Sequence, residues 1–191
     1  INHSKFIFIA GFYDDNHNFK IKEKIVVNNE GFYNNKFTNI DLIDSTIRKN
    51  IESIEDKLNC VYKDVTVILN NFNCTYINIS GFKKLNGSQV LKENISYILN
   101  SLKLAVTENE KEKTILHIFN SKSVLDNKRF ENLPIGLFGN FYSHELTFFL
   151  INNNDLMNIK QLFKKNNLNV KKIFIKNFIE GVELIDKDKD N

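Results

Sequence analysis

The stretch TILHIFNSKSVLDNKRFENLPIGLFGN, Thr114 to Asn140, decides how this chain is read. It opens as a buried strand, with Ile115, Leu116, Ile118 and Phe119 close together. A polar run follows, and then the apolar loop Leu133-Pro134-Ile135-Gly136-Leu137-Phe138-Gly139, which holds the single proline of the chain. Proline fixes φ and glycine permits a tight path, so such a loop can hold Ile135, Leu137 and Phe138 in a set shape. Either those side chains fold back onto their own core or they meet a partner.

Working outward, Ser143 to Ile151 (SHELTFFLI) reads as the next strand. Asn152-Asn153-Asn154 caps a helix carrying Leu156, Ile159, Leu162 and Phe163, and Asn166-Asn167 stops it. Val170 to Ile175 is a strand apolar on both faces, and Phe178, Ile179, Val182 and Ile185 suggest a last short helix. Upstream, Thr75 to Phe82 alternates, with Tyr76, Asn78 and Ser80 against Ile77 and Ile79. A helix is predicted from Ser88, an N-cap residue type, with the stripe Leu91, Ile95, Ile98, Leu99, Leu102, and a charged break from Thr107 to Lys113.

The beginning of the chain has a different texture. Lys5 to Tyr13 is apolar on both faces, which suits a central strand covered on both sides. After an Asp14-Asp15-Asn16 turn, Phe19 to Val27 alternates lysines with apolar residues as a half-exposed hairpin partner. Ile40, Ile43, Ile47, Ile51, Ile54 and Leu58 form one helical stripe, with Thr38 as expected cap and Asp41 as its capping-box partner. Val65 to Leu69 is a short two-sided strand, and Asn70 to Asn73 is turn-like. The fold class expected is therefore α/β with an α+β insertion. Residues 1–70 and 154–191 should pack together, with the strands Lys5–Tyr13, Val65–Leu69 and Val170–Ile175 in one sheet. Residues 71–153 form the insertion.

Composition bounds the function. The chain has 191 residues, 42% hydrophobic with 17 Phe, enough for a real core. No apolar run approaches the ~20 residues of a membrane span. No signal peptide is evident, and a start without Met reads as a piece of a longer chain. Net charge is +3, nearly all the cations are Lys, and they are scattered among acids, which argues against a nucleic-acid binder. Cys60 and Cys74 are too few for a disulfide scaffold or a Cys-pair zinc site, and read as reduced thiols. The Asn-X-Ser/Thr sequons are expected by chance in so Asn-rich a chain.

No phosphate-loop, dinucleotide or H-E-x-x-H motif is present. Of the four histidines, His3 and His17 lie near a terminus and in a turn, while His117 and His144 fall within strands. Ser143, His144 and Glu145 are adjacent on one strand and point to alternate faces, so they cannot form a triad. Glu52 and Asp56 lie on the polar side of a helix, and the alternating tail Asp186 to Asp190 reads as solvated charge. These residues offer no catalytic set and no metal ligands, so the chain is expected not to be an enzyme.

The order of segments resembles FtsA, the actin-like bacterial division protein that links the FtsZ ring to the membrane. The resemblance is carried by Asn39-Ile40-Asp41-Leu42-Ile43 before Val65-Thr66-Val67, and by Ile115-Leu116-His117-Ile118 before Leu133-Pro134-Ile135-Gly136-Leu137-Phe138-Gly139. It continues in His144-Glu145-Leu146-Thr147-Phe148-Phe149-Leu150 and Leu168-Asn169-Val170-Lys171-Lys172-Ile173. The resemblance implies a partial actin-like (ribonuclease H-like) lobe, subdomain 1A, at 1–70 and 154–191, and subdomain 1C at 71–153. It implies a scaffold for divisome assembly and filament contacts, with Pro134, Ile135, Leu137 and Phe138 as protein-interaction residues. Partners would be division proteins and further copies through 1C, with FtsZ bound by the full-length protein. The two phosphate loops of the family fall outside this stretch, so no cofactor is expected here, although ATP is implied for full-length members. The turn that reads S-G-x-H-I in the family is Asn70-Asn71-Phe72-Asn73-Cys74 here. The implied location is cytoplasmic, at the inner face of the cell membrane, without direct membrane contact from this fragment. A PilM-like pilus-assembly actin homologue, or a small α/β ligand-binding domain or enzyme, is the alternative.

Overall fold

A computed structural model describes residues 5–34, 36–70 and 72–189, and is mixed α/β. His3, Asn71, the side chain of Ile185 and the end of the charged tail lie outside the described parts. In chain order come β1 (Lys5–Tyr13), β2 (Phe19–Asn28), β3 (Phe32–Tyr33), β4 (Lys36–Phe37), α1 (Ile40–Leu58) and β5 (Asp64–Leu69). Next are β6 (Cys74–Lys84), α2 (Lys92–Asn109), β7 (Lys113–Leu125), β8 (Lys128–Phe130) and β9 (Phe141–Asn152). The chain closes with α3 (Asn153–Lys165), β10 (Asn169–Ile175) and α4 (Lys176–Lys189). Two compact units result: residues 1–73 with 154–191, and residues 74–153.

In the first unit β1 and β2 form an antiparallel hairpin. Its turn is built by Asp14, whose Oδ1 accepts the N–H groups of Asn16 and Asn18 at 3.1 and 2.8 Å. The strand β1 is not covered on both sides. Phe6 and Ala10 are buried, but Ile7 and Ile9 are each 49% exposed. Among the described strands β1 has a single ladder neighbour, and apolar residues on its second face do not by themselves supply a covering layer.

The helix α1 follows its isoleucine stripe, burying Ile43, Ile47 and Ile54. Its cap is Asn39 rather than Thr38: Asn39 has extended backbone, and its side chain accepts the Leu42 N–H at 3.1 Å. The helix stops at Asn59, which takes φ 49°. Strands β5 and β10 then pair in parallel, Val65 beside Val170 and Leu69 beside Ile175. The single sheet of β1, β5 and β10 expected from sequence is instead two separate two-stranded ladders, β1–β2 and β10–β5. Hairpin formation with β2 satisfies β1 locally, whereas parallel β5 and β10 need the intervening chain as a crossover.

The second unit is a four-stranded antiparallel sheet, ordered β6-β9-β7-β8, with α2 on one face. Ile77, Ile79, Leu146, Phe148 and Leu150 of the sheet pack with Leu99, Leu102 and Val106 of α2. Gly81 permits the close approach, since a Cβ there would stand 2.6 Å from Ile98 Cγ2. The helix begins at Lys92, not Ser88, and runs on to Asn109, three residues into the break expected from Thr107 to Lys113, which leaves Glu110 to Glu112 as the connection to β7. In place of a capping hydroxyl, Asn94 Oδ1 accepts the Leu91 N–H at 2.8 Å. The polar run after Phe119 is strand too: β7 extends to Leu125 and turns through Asp126 and Asn127 (φ 45° and 67°) into β8. Two consecutive positive φ values fit the turn that best matches hairpin twist. No helix among the described residues is long and apolar enough to cross a membrane.

Candidate functional site

The loop after β8 is a rigid display of apolar side chains. Pro134 is buried. The Ile135 N–H donates to Leu133 O at 2.8 Å across it, a three-residue turn that suits the fixed φ of proline. The Leu137 N–H then donates to Pro134 O at 3.2 Å, closing a four-residue turn whose third member, Gly136, has φ 86°. At Gly139 a Cβ would collide with the Leu125 side chain, which belongs to the core with Leu85, Val90, Ile98 and Tyr142.

Backbone bonds tie this loop to the segment before α2. The Val90 N–H donates to Leu137 O and the Gly136 N–H to Val90 O, both at 2.9 Å. Gly139 N–H reaches Ser88 O at 3.2 Å, Gly87 N–H reaches Gly139 O at 3.0 Å, and Gln89 bridges Phe138. The β6–β9 ladder thus resumes beyond a kink at Asn86 and Gly87, both at positive φ. That pairing explains why Ser88 does not start the helix. The carboxylate of Asp126 closes the base of the loop, accepting the N–H groups of Asn140 and Phe141 at 2.8 to 3.0 Å.

Because backbone atoms hold the loop, its side chains are free to face outward. Ile135 and Leu137 are exposed and Phe138 is 70% exposed. Pro134 is the one member of the expected set that turns inward. The sheet adds exposed apolar residues that motif reading passed over: Tyr76 and Phe82 on β6, and Phe141 on β9. Their signal was present in the alternation of β6, where Tyr76 and Phe82 share the face away from Ile77 and Ile79. Lys84 flanks this set, its Nζ 6.0 Å from the Phe141 ring centre, whereas Lys83 turns to the helix-covered face, its Nζ 4.3 Å from the ring centre of Tyr97 on α2.

The strand histidines do not converge. His117 lies beside Phe149, ring centres 6.4 Å apart, whereas His144 sits between Gly81 and Ser123 on the opposite, helix-covered face. His144 is 2% exposed, and neither ring nitrogen has a hydrogen-bond partner. Burial lowers the pKa of both histidines from the ordinary value. A shallow hollow at the hairpin tip, lined by Tyr13, Asp14, Asp15 and His17, gathers no nucleophile with a base. No group of three or more His, Cys, Asp or Glu side chains is placed to share a metal ion among the described residues. Comparison with protein-family models and with curated proteins finds no match.

Proposed function

We propose that this chain is a protein-interaction module of FtsA type, a scaffold for bacterial divisome assembly. Residues 1–70 and 154–191 belong on this reading to an actin-like lobe, and residues 71–153 to subdomain 1C. The observation that carries it is the loop of Ile135, Leu137 and Phe138, held by backbone bonds to residues 87–90 while its side chains stay exposed. A fold that fixes an apolar loop outward, with its proline buried as an anchor, presents a preformed docking surface at low entropic cost. The segment order that resembles the family supplies the kind of partner: later division proteins and further copies of the chain. FtsZ and ATP belong to the full-length protein, and its place is the cytoplasmic face of the membrane.

The test is a fluorescent fusion followed in dividing bacteria beside the double variant Leu137→Ser, Phe138→Ser. The intact chain should gather at the division site. The double variant should keep its near-ultraviolet dichroism and lose at least about tenfold in partner capture, roughly 1.4 kcal/mol. A diffuse signal from the intact, folded chain overturns the division assignment. An unfolded double variant overturns the docking role of the loop.

A further inference from the structure

We infer that β6 pairs edge to edge with β6 of a second copy, antiparallel, about a two-fold axis at Ile79. The inference rests on the second unit being the contact-bearing part of the chain. It concerns a different surface from the loop, so the two readings fail separately.

The two edges of the four-stranded sheet are treated unlike each other. On one side the three-residue β8, with Lys128 and Arg129, pairs only with Ser123–Leu125 of β7, and the rest of β7 carries two register shifts against β9, irregularities of the kind that blunt an edge. On the other, β6 runs for eleven residues with no break in its register against β9. Among the described strands β9 is its one ladder neighbour. From Thr75 to Phe82 it carries no charge and no proline. An edge this long and unguarded offers a row of N–H and C=O groups to another strand.

The side chains indicate which strand. Tyr76 (49% exposed) and Phe82 (73% exposed) lie three residues to either side of Ile79 and on the same face. Pairing about Ile79 therefore sets Tyr76 of each copy opposite Phe82 of the other, two aromatic cross-strand pairs of the kind sheets favour. Asn78 falls opposite Ser80, two exposed hydrogen-bonding side chains. On the helix-covered face Ile77 falls opposite Gly81, beside the Ile98 side chain of α2 that packs on that glycine. Lys83 meets Thr75 and Lys84 meets Cys74, so no lysine opposes another. The strand can thus meet itself with aromatic pairs on one face and no like charges opposed, and the product is two four-stranded sheets joined into one. A contact limited to one strand edge is of the weak, transient class, with a dissociation constant on the order of 10–100 micromolar.

The experiment is sedimentation equilibrium of the whole chain across that concentration range. The intact chain should pass from monomer to dimer. Asn78→Lys with Ser80→Lys puts lysine opposite lysine twice and should leave a monomer with unchanged far-ultraviolet dichroism. Asn78→Glu with Ser80→Lys puts glutamate opposite lysine in the same register, keeps a lysine beside Glu145 of the chain's own β9, and should restore the dimer. Three results overturn the inference: an intact chain that stays monomeric, a dimer that tolerates the two lysines, or a Lys/Glu variant that fails to restore it. The loop residues Leu137 and Phe138 are untouched throughout, so partner capture through the loop is scored independently.

Discussion

Strands β1 and β9 look alike as text, and they behave differently. Each has a run apolar on both faces: Phe6 to Ala10 in one, Phe148 to Ile151 in the other. In β9 all four of those residues are buried. In β1 only every fourth residue is, and Ile7 and Ile9 stand half in solvent. The ladder accounts for part of the difference, since β9 runs between β6 and β7 while β1 has β2 alone among the described strands. The faces account for the rest. Leu146, Phe148 and Leu150 lie under α2, and Phe149 is flanked across the other face by the rings of Tyr76 and His117 at 5.2 and 6.4 Å. A two-sided apolar strand is central only where neighbours and an overlying layer arrive for both faces.

The comparison can be broken most forcefully at Phe148. Truncation of a fully buried ring in β9 leaves a cavity beneath α2, so Phe148→Ala should cost about 3–5 kcal/mol in denaturant unfolding of the second unit. A cost below about 1 kcal/mol would mean that α2 collapses onto the gap and that the layer is loosely packed.

A second measurement sharpens the comparison through acid. His144 is buried without a partner for either nitrogen, with Gly81, Ser123 and the Tyr142 ring around it and no carboxylate on those neighbours. Burial penalises the imidazolium and holds the folded pKa below the ordinary 6.5. As pH falls the unfolded chain takes up the proton first. It then binds more protons than the native state, and stability falls with pH. The loss begins as pH drops through 6.5 and continues down to the folded pKa, while above 6.5 the group is neutral in both states and contributes no slope. His117 is shifted in the same direction by its burial. Unfolding of the second unit followed from pH 7.5 to 5 should therefore show a falling midpoint, and His144→Leu should flatten part of that slope. An unchanged slope in the variant would assign the acid sensitivity to other groups.

The smallest effect belongs to β1. Ile9→Thr keeps a β-branched residue on an exposed face and should change stability by no more than about 0.5 kcal/mol. A loss approaching that of Phe148→Ala would show that something in the whole protein covers this face, and the contrast with β9 would disappear.

Much of the architecture was legible where one residue class repeats at the right period. The isoleucines of α1 and the alternation in β6 both gave their elements nearly to the residue. What stayed hidden had local causes. The second half of β7 reads Asn120-Ser121-Lys122-Ser123, too polar to look like strand, and its pairing with β8 is set by the Asp126-Asn127 turn. Ser88 has the chemistry of a cap but is held in a ladder with the loop, so the helix waits for Lys92. Asn39 outcompetes Thr38 because its side chain reaches the Leu42 N–H at 3.1 Å. The apolar loop itself was visible, but the direction of its side chains was not. That direction depends on backbone partners about fifty residues earlier, which spacing does not encode.

The register of β6 against β9 has a consequence for how the chain could have been assembled and could be taken apart. Cys74 and Ile151 are ladder partners and the second unit ends two residues on, at Asn153, so its entry and exit lie together at one end of the β6–β9 ladder. A segment with adjoining ends can be excised and replaced by a short bridge, because the loop it closes in the host costs little chain entropy to reclose. Residues 74–153 therefore have the connectivity of a cassette. They can be transplanted into another surface turn, or exchanged for a different insert, without rerouting the polypeptide on either side of the junction.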